Sequence, residues 1–94
     1  MDRESRIDRE IVRSHLLAFR GQPAEAEAAA RDAVALAMDS DMLLHQTASL
    51  ERLADLLETA GRAEEARDPL REALAIHEHK GNPHGIARVR ARLD

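Results

Sequence analysis

The chain has 94 residues, enough for one domain and a thin core, with a net charge of −4 and 34% charged residues. It has no cysteine, tryptophan or tyrosine and a single phenylalanine, Phe19, which excludes a disulfide framework, a thiolate site and a core built on aromatic anchors. No apolar run approaches the length of about 18 residues that a membrane span needs, and the acidic balance argues against general nucleic-acid binding.

Strand formers are scarce and Ala and Leu dominate the apolar residues, so an all-α fold is expected. The first helix reads as residues 4–20. Its charged start carries Arg3, Glu4, Arg6, Asp8, Arg9 and Glu10. Glu4 and Asp8 repel one helical turn apart, and Arg6 and Glu10 attract. Ile7, Ile11, Val12, Leu16 and Phe19 form its expected apolar stripe, with Leu17 beside them. Gly21 suits a left-handed C-cap and Pro23 the first turn of the next helix.

The second helix, residues 24–38, is alanine-rich, which favours helix and lets neighbours lie close. Asp39, Ser40 and Asp41 offer N-cap chemistry for a third helix over residues 42–60, with Leu43, Leu44, Leu50, Leu53, Ala54 and Leu57 toward its neighbours. Gly61 closes it. A fourth helix, residues 63–79, places Ala66, Leu70, Ala73, Leu74 and Ile76 or Ala75 inward. Pro69 lies within it and removes one backbone donor, so a mild distortion is expected there. Gly81, Asn82 and Pro83 stop this helix and start a fifth over residues 84–93, with Ile86, Val89 and Leu93 on one side and Arg88, Arg90 and Arg92 elsewhere.

Gly21 and Gly61 stand 40 residues apart, and the stretches after them correspond: GQPAEAEAAARDAVAL against GRAEEARDPLREALAI. Self-similarity at this period marks stacked helix pairs. Leu50, Leu53, Ala54 and Leu57, followed by Ala66, Leu70, Ala73 and Glu78, resemble the tetratricopeptide repeat at its signature positions. The resemblance implies an antiparallel helix-pair solenoid of one domain, residues 1–94. Its first repeat would cover about residues 4–38, its second about 42–80, and a capping helix about 84–93. In the first copy Leu17, Ala26, Ala30 and Ala33 align, but Glu10 and Arg13 fall where Leu50 and Leu53 sit. That pair therefore either packs in a shifted register or ends the stack. The segment Ala73–Pro83 and the Arg-rich helix after it also resemble the C-terminal repeat region of large bacterial signalling and transcriptional regulators.

The sequence offers no catalytic constellation, cofactor motif or phosphate-binding loop, and no enzyme activity is expected. His77 and His79 point apart on a helix, and His15, His45 and His84 lie on other elements with no carboxylate spacing to match, so no metal site is expected. Glu51, Asp55 and Glu58 form an acidic stripe at positions that face the ligand groove in the family. They are candidate contacts for a basic peptide or a neighbouring arginine, or else a plain solvated face; Arg88 and Arg92 are candidates on the last helix, or else cap the end of the stack with polar surface. Ile11 and His15 stand at groove positions where some family members carry the Lys and Asn of a carboxylate clamp, which weakens that reading. The absence of cysteine fits a reducing, cytoplasmic setting, and the resemblance implies a non-catalytic module that binds a protein or peptide. The first and fifth helices would each leave an uncovered face for a homodimer contact or for docking. The alternative is a regulatory segment of a transcriptional or cyclase-type signalling protein that responds to a small effector.

Overall fold

The structure, a computed structural model, describes residues 2–94. Five helices make it up: α1 (Arg3–Phe19), α2 (Pro23–Met38), α3 (Leu43–Thr59), α4 (Ala63–Lys80) and α5 (Pro83–Leu93). Each boundary has a local cause. Asp2 caps α1 by accepting from the Ser5 N–H at 2.7 Å. Pro23 and Pro83 open α2 and α5, where a missing N–H costs nothing. After α1, α3 and α4 the chain turns on Gly21, Gly61 and Gly81, all at positive φ between 72° and 78°. These turns close with a 6→1 bond, Gln22 N–H to Leu17, Arg62 N–H to Leu57 and Asn82 N–H to His77, which satisfies carbonyls the helix ends leave free.

The α2–α3 connection works differently. Met42, not one of the Asp39–Asp41 residues, is the N-cap of α3, and no side chain caps that end directly. Ser40 Oγ accepts from the Met42 N–H, and the buried Gln46 side chain reaches back to donate to the Ser40 carbonyl at 2.8 Å. The linker is held from inside by the amide of the fourth residue of the next helix.

Consecutive helices pack side by side, α1 on α2, α2 on α3, α3 on α4 and α4 on α5. In addition α1 touches α3, whereas α2 and α4 are not in contact. Odd helices therefore line the inner face of a curved stack and even helices the outer face, the arrangement of a tetratricopeptide-like helical repeat. The molecule is a slab of about 35 × 34 × 17 Å.

Its main core joins Ala30, Leu53, Ala54, Leu57, Ala66, Leu70 and Val89, so residues from α2 to α5 meet around the α3–α4 pair. The alanines of α2 are its packing surface: Ala26, Ala29, Ala30, Ala33 and Ala37 are fully buried, and Leu17 and Ile7 of α1 lie against them. Pro69 is buried, and α4 is continuous across it.

Three expectations about faces are corrected. The buried residues of α1 are Ile7, Ser14 and Leu17, while Val12, Leu16 and Phe19 point outward, Phe19 at 90% exposure. The small Ser14 lets α1 approach its neighbours closely, so the helix turns its bulkier side chains out. Leu44, expected toward a neighbour, is 65% exposed. In α4 the inward set gains Pro69 and His77, and Ala75 is exposed.

Candidate functional site

The inner face carries most of the polar organisation, and its centre is a buried histidine. His77 in the last turns of α4 is 3% exposed. Its ring lies against Gly85, where the absence of a Cβ makes room: a Cβ built there would stand 2.3 Å from His77 Nδ1. Asn82 fixes the ring's hydrogen. Its Oδ1 accepts from the Gly85 N–H, so its Nδ2 faces His77 Nδ1 at 3.3 Å and donates to it. The hydrogen then sits on Nε2, which donates to Glu51 Oε2 at 3.1 Å.

Glu51 also accepts two hydrogen bonds from Arg88, Nε to Oε1 at 2.9 Å and Nη2 to Oε2 at 3.2 Å. One carboxylate thus ties α3 to α4 and to α5. Burial alone would raise its pKa, but the hydrogen bonds from Arg88 and His77 outweigh it and hold the carboxyl below its ordinary value. One turn along, Arg92 Nη2 donates to both Asp55 Oδ1 and Glu58 Oε1 at 2.7 Å. Its partial burial works against its charge, and the two carboxylates more than compensate.

The five candidate contacts read from the sequence are therefore brought together, but with one another. Arg88 takes Glu51, and Arg92 takes Asp55 and Glu58. Equal register on α3 and α5 makes this ladder: the partners lie 37 residues apart in two cases and 34 in the third. A partner that reads the acidic stripe would compete with α5 for it.

The sequence reading missed two further connections. Arg52 donates to Ser14 Oγ at 2.9 Å and to the Ser14 carbonyl at 3.3 Å, tying α3 to the buried serine of α1. Arg62, in the turn before α4, bridges Glu27 of α2 and Glu65 of α4, and its hydrogen bond is the main reason the Glu27 carboxyl sits below its ordinary value. His45 is also corrected: two carboxylates do stand beside it, Asp8 at 3.3 Å and Glu4 at 3.7 Å. The i, i+4 spacing of Glu4 and Asp8 was the visible half of that signal; the histidine reaches them only through the contact of α1 with α3.

At the α1 end of the stack, one face of α1 is open. Forty residues on, Leu56 occupies the place of Leu16, and it packs against Leu17, Ala26 and Ala29 of the preceding pair. Leu16 itself is 45% exposed, and Val12 and Phe19 continue the same stripe. Among the described residues no helix covers it.

Comparison with known proteins agrees with this geometry. Residues 47–80, which span α3 from its second turn and all of α4, match the tetratricopeptide repeat family model. That segment is the helix pair at the centre of the core and carries Glu51 and His77. Searches of curated proteins and of solved structures return no match to the chain. No helix among the described residues is long and apolar enough to cross a membrane.

Proposed function

We propose that the protein is a non-catalytic interaction module, one unit of two helix pairs and a closing helix. It engages another helical surface through the uncovered face of α1. The observation that carries this is the stripe of Val12, Leu16 and Phe19, exposed at 64%, 45% and 90%. Phe19 is the only aromatic side chain in the sequence, and aromatic groups presented to solvent in an apolar stripe are the usual anchors of protein contacts. The internal repeat says what fits: Leu56, the counterpart of Leu16 on α3, packs against Ala26 and Ala29 beside Leu17, so the occupant is a helix that presents small residues at this point. Another copy's helix is the first such occupant to test, in a cytoplasmic setting consistent with the absence of cysteine.

Sedimentation velocity of the wild type and of a Leu16→Glu, Phe19→Glu variant tests this. Association that grows with concentration and disappears in the variant is the expected result. A wild type that stays monomeric into the range of about 100 μM, far above the micromolar affinities of ordinary complexes, would sink the self-associating form. The wider reading is tested by a photo-cross-linking amino acid in place of Phe19 in cells that express the full protein, where the absence of any adduct counts against it.

One observation favours a second reading, the segment that responds to a small effector. A cleft of about 570 Å³ between α1 and α2 is lined by Arg6, Arg9 and Arg13 together with Glu10, Asp32 and Asp39. With three cations and three carboxylates around it, this cleft would take a zwitterionic small molecule, and a thermal-shift screen with such compounds separates the two readings.

A further inference from the structure

Glu4, Asp8 and His45 are the trio of His, Cys, Asp or Glu side chains among the described residues whose ligand atoms converge, all within 4.8 Å of one another. Nothing in the interaction reading uses them. Glu4 and Asp8 are one turn apart on α1, where like charges at i, i+4 repel, yet both carboxylates turn toward the same point. His45 comes from a different helix, in the first turn of α3, and its side chain is only 18% exposed, so the imidazole is held in place while the carboxylates at 61% and 60% are free to adjust.

We propose that these three side chains form a site for a divalent transition-metal ion, with zinc the best fit, clipping α1 to α3. Two ligands bound at about 2.0–2.1 Å to a tetrahedral ion stand roughly 3.3 Å apart. His45 Nε2 is 3.3 Å from Asp8 Oδ1 and 3.7 Å from Glu4 Oε1, so the pairs already have the separations of a tetrahedral edge or slightly more. One imidazole and two carboxylates suit zinc better than magnesium or calcium, which prefer oxygen alone, or copper(I), which prefers sulfur. The ion would neutralise the Glu4–Asp8 repulsion and add a bond between the first and second helix pairs, with water completing its shell on the exposed side. The site lies on α1 beside the interaction stripe: Asp8 precedes Val12 by one turn. A metal that fixes this end of α1 on α3 would fix the stripe as well.

Isothermal titration of the intact chain with zinc chloride tests the proposal, alongside cobalt(II), whose visible absorption reports tetrahedral coordination. The expected result is one strong site with tetrahedral cobalt bands, lost in Asp8→Asn and in His45→Gln. That loss should exceed the roughly 10- to 100-fold that follows when only a supporting hydrogen bond is removed. His84→Gln, which changes an exposed histidine elsewhere, should bind as the wild type does. Circular dichroism of each variant separates loss of the site from loss of the fold. Binding that survives both Asp8→Asn and His45→Gln, binding abolished only by His84→Gln, or no cobalt bands at all would each overturn the assignment.

Discussion

His77 and Glu51 are joined by a hydrogen bond of 3.1 Å between side chains that are 4% and 14% exposed, and through it α4 is locked to α3 on the inner face. Asn82 and Gly85 fix the imidazole from one side and Arg88 holds the carboxylate from the other, so the pair cannot shift without breaking several contacts. His77→Ala should cost about 1–3 kcal/mol for the lost hydrogen bond, with a further loss from the cavity. Glu51→Gln should cost less. Urea unfolding of the two single variants and the double should show coupling of about 0.5–3 kcal/mol. Strict additivity would mean that the pair is not an energetic unit.

Gly85→Ala sets two effects against each other. Alanine in a helix is favoured over glycine by about 1 kcal/mol. Here, however, the new Cβ would meet three atoms of the His77 ring at 2.3–2.6 Å, and that ring is tethered on both edges. Overpacking of this kind costs about 1–3 kcal/mol, so the variant should be less stable than the wild type. Combining it with His77→Ala removes the obstacle, and the thermal midpoint should then recover relative to His77→Ala alone.

Acid should weaken the fold through specific carboxylates. Glu51 and Glu27 have native pKa values below the ordinary 4.5, Glu51 because the Arg88 and His77 hydrogen bonds outweigh its burial, Glu27 chiefly through the Arg62 hydrogen bond. The unfolded chain therefore binds protons first as pH falls. Their contribution is complete above about pH 5 and is lost as pH drops through 4.5 toward the native values. Chemical denaturation across this range should show stability falling below about pH 4.5, with a shallower fall in Glu51→Gln. An identical slope in the variant would assign the acid sensitivity to other groups.

The ladder from α5 bears on the acidic stripe. Arg88 and Arg92 are ion-paired with Glu51, Asp55 and Glu58; each pair keeps one well-exposed partner, and solvent-screened pairs contribute about 1 kcal/mol each. An Arg88→Ala, Arg92→Ala variant should therefore stay folded while uncovering three carboxylates. If this face can take a basic segment, a short arginine-rich peptide should bind the variant more tightly than the wild type by fluorescence anisotropy, with an affinity that falls as salt rises. Equal binding to both would remove the stripe as a docking site.

Helix content and boundaries were legible because they rest on local chemistry. Glycines at left-handed turns and prolines at first positions punctuate the chain, and each expected helix end falls within about one residue of the observed one, inside the usual spread of boundary assignments. The signature of the second repeat was equally plain, since Leu50, Leu53, Ala54 and Leu57 are all buried as their spacing requires. The face of α1 was not. Its apolar residues run around most of the helix, and periodicity alone put Val12, Leu16 and Phe19 in the core.

The sequence by itself determined five helices, their order, the 40-residue repeat and a core built on α3 and α4, because helix propensity and apolar spacing act over one or two turns. Only the tertiary structure decided which side of α1 is buried, that Glu51 shares its carboxylate between His77 and Arg88, and that His45 stands beside Glu4 and Asp8. Each of these depends on the distance between helices rather than along one. Ser14 and the alanines of α2 set that distance for α1, Gly85 sets it for α5, and small residues carry no periodic signal strong enough to announce it.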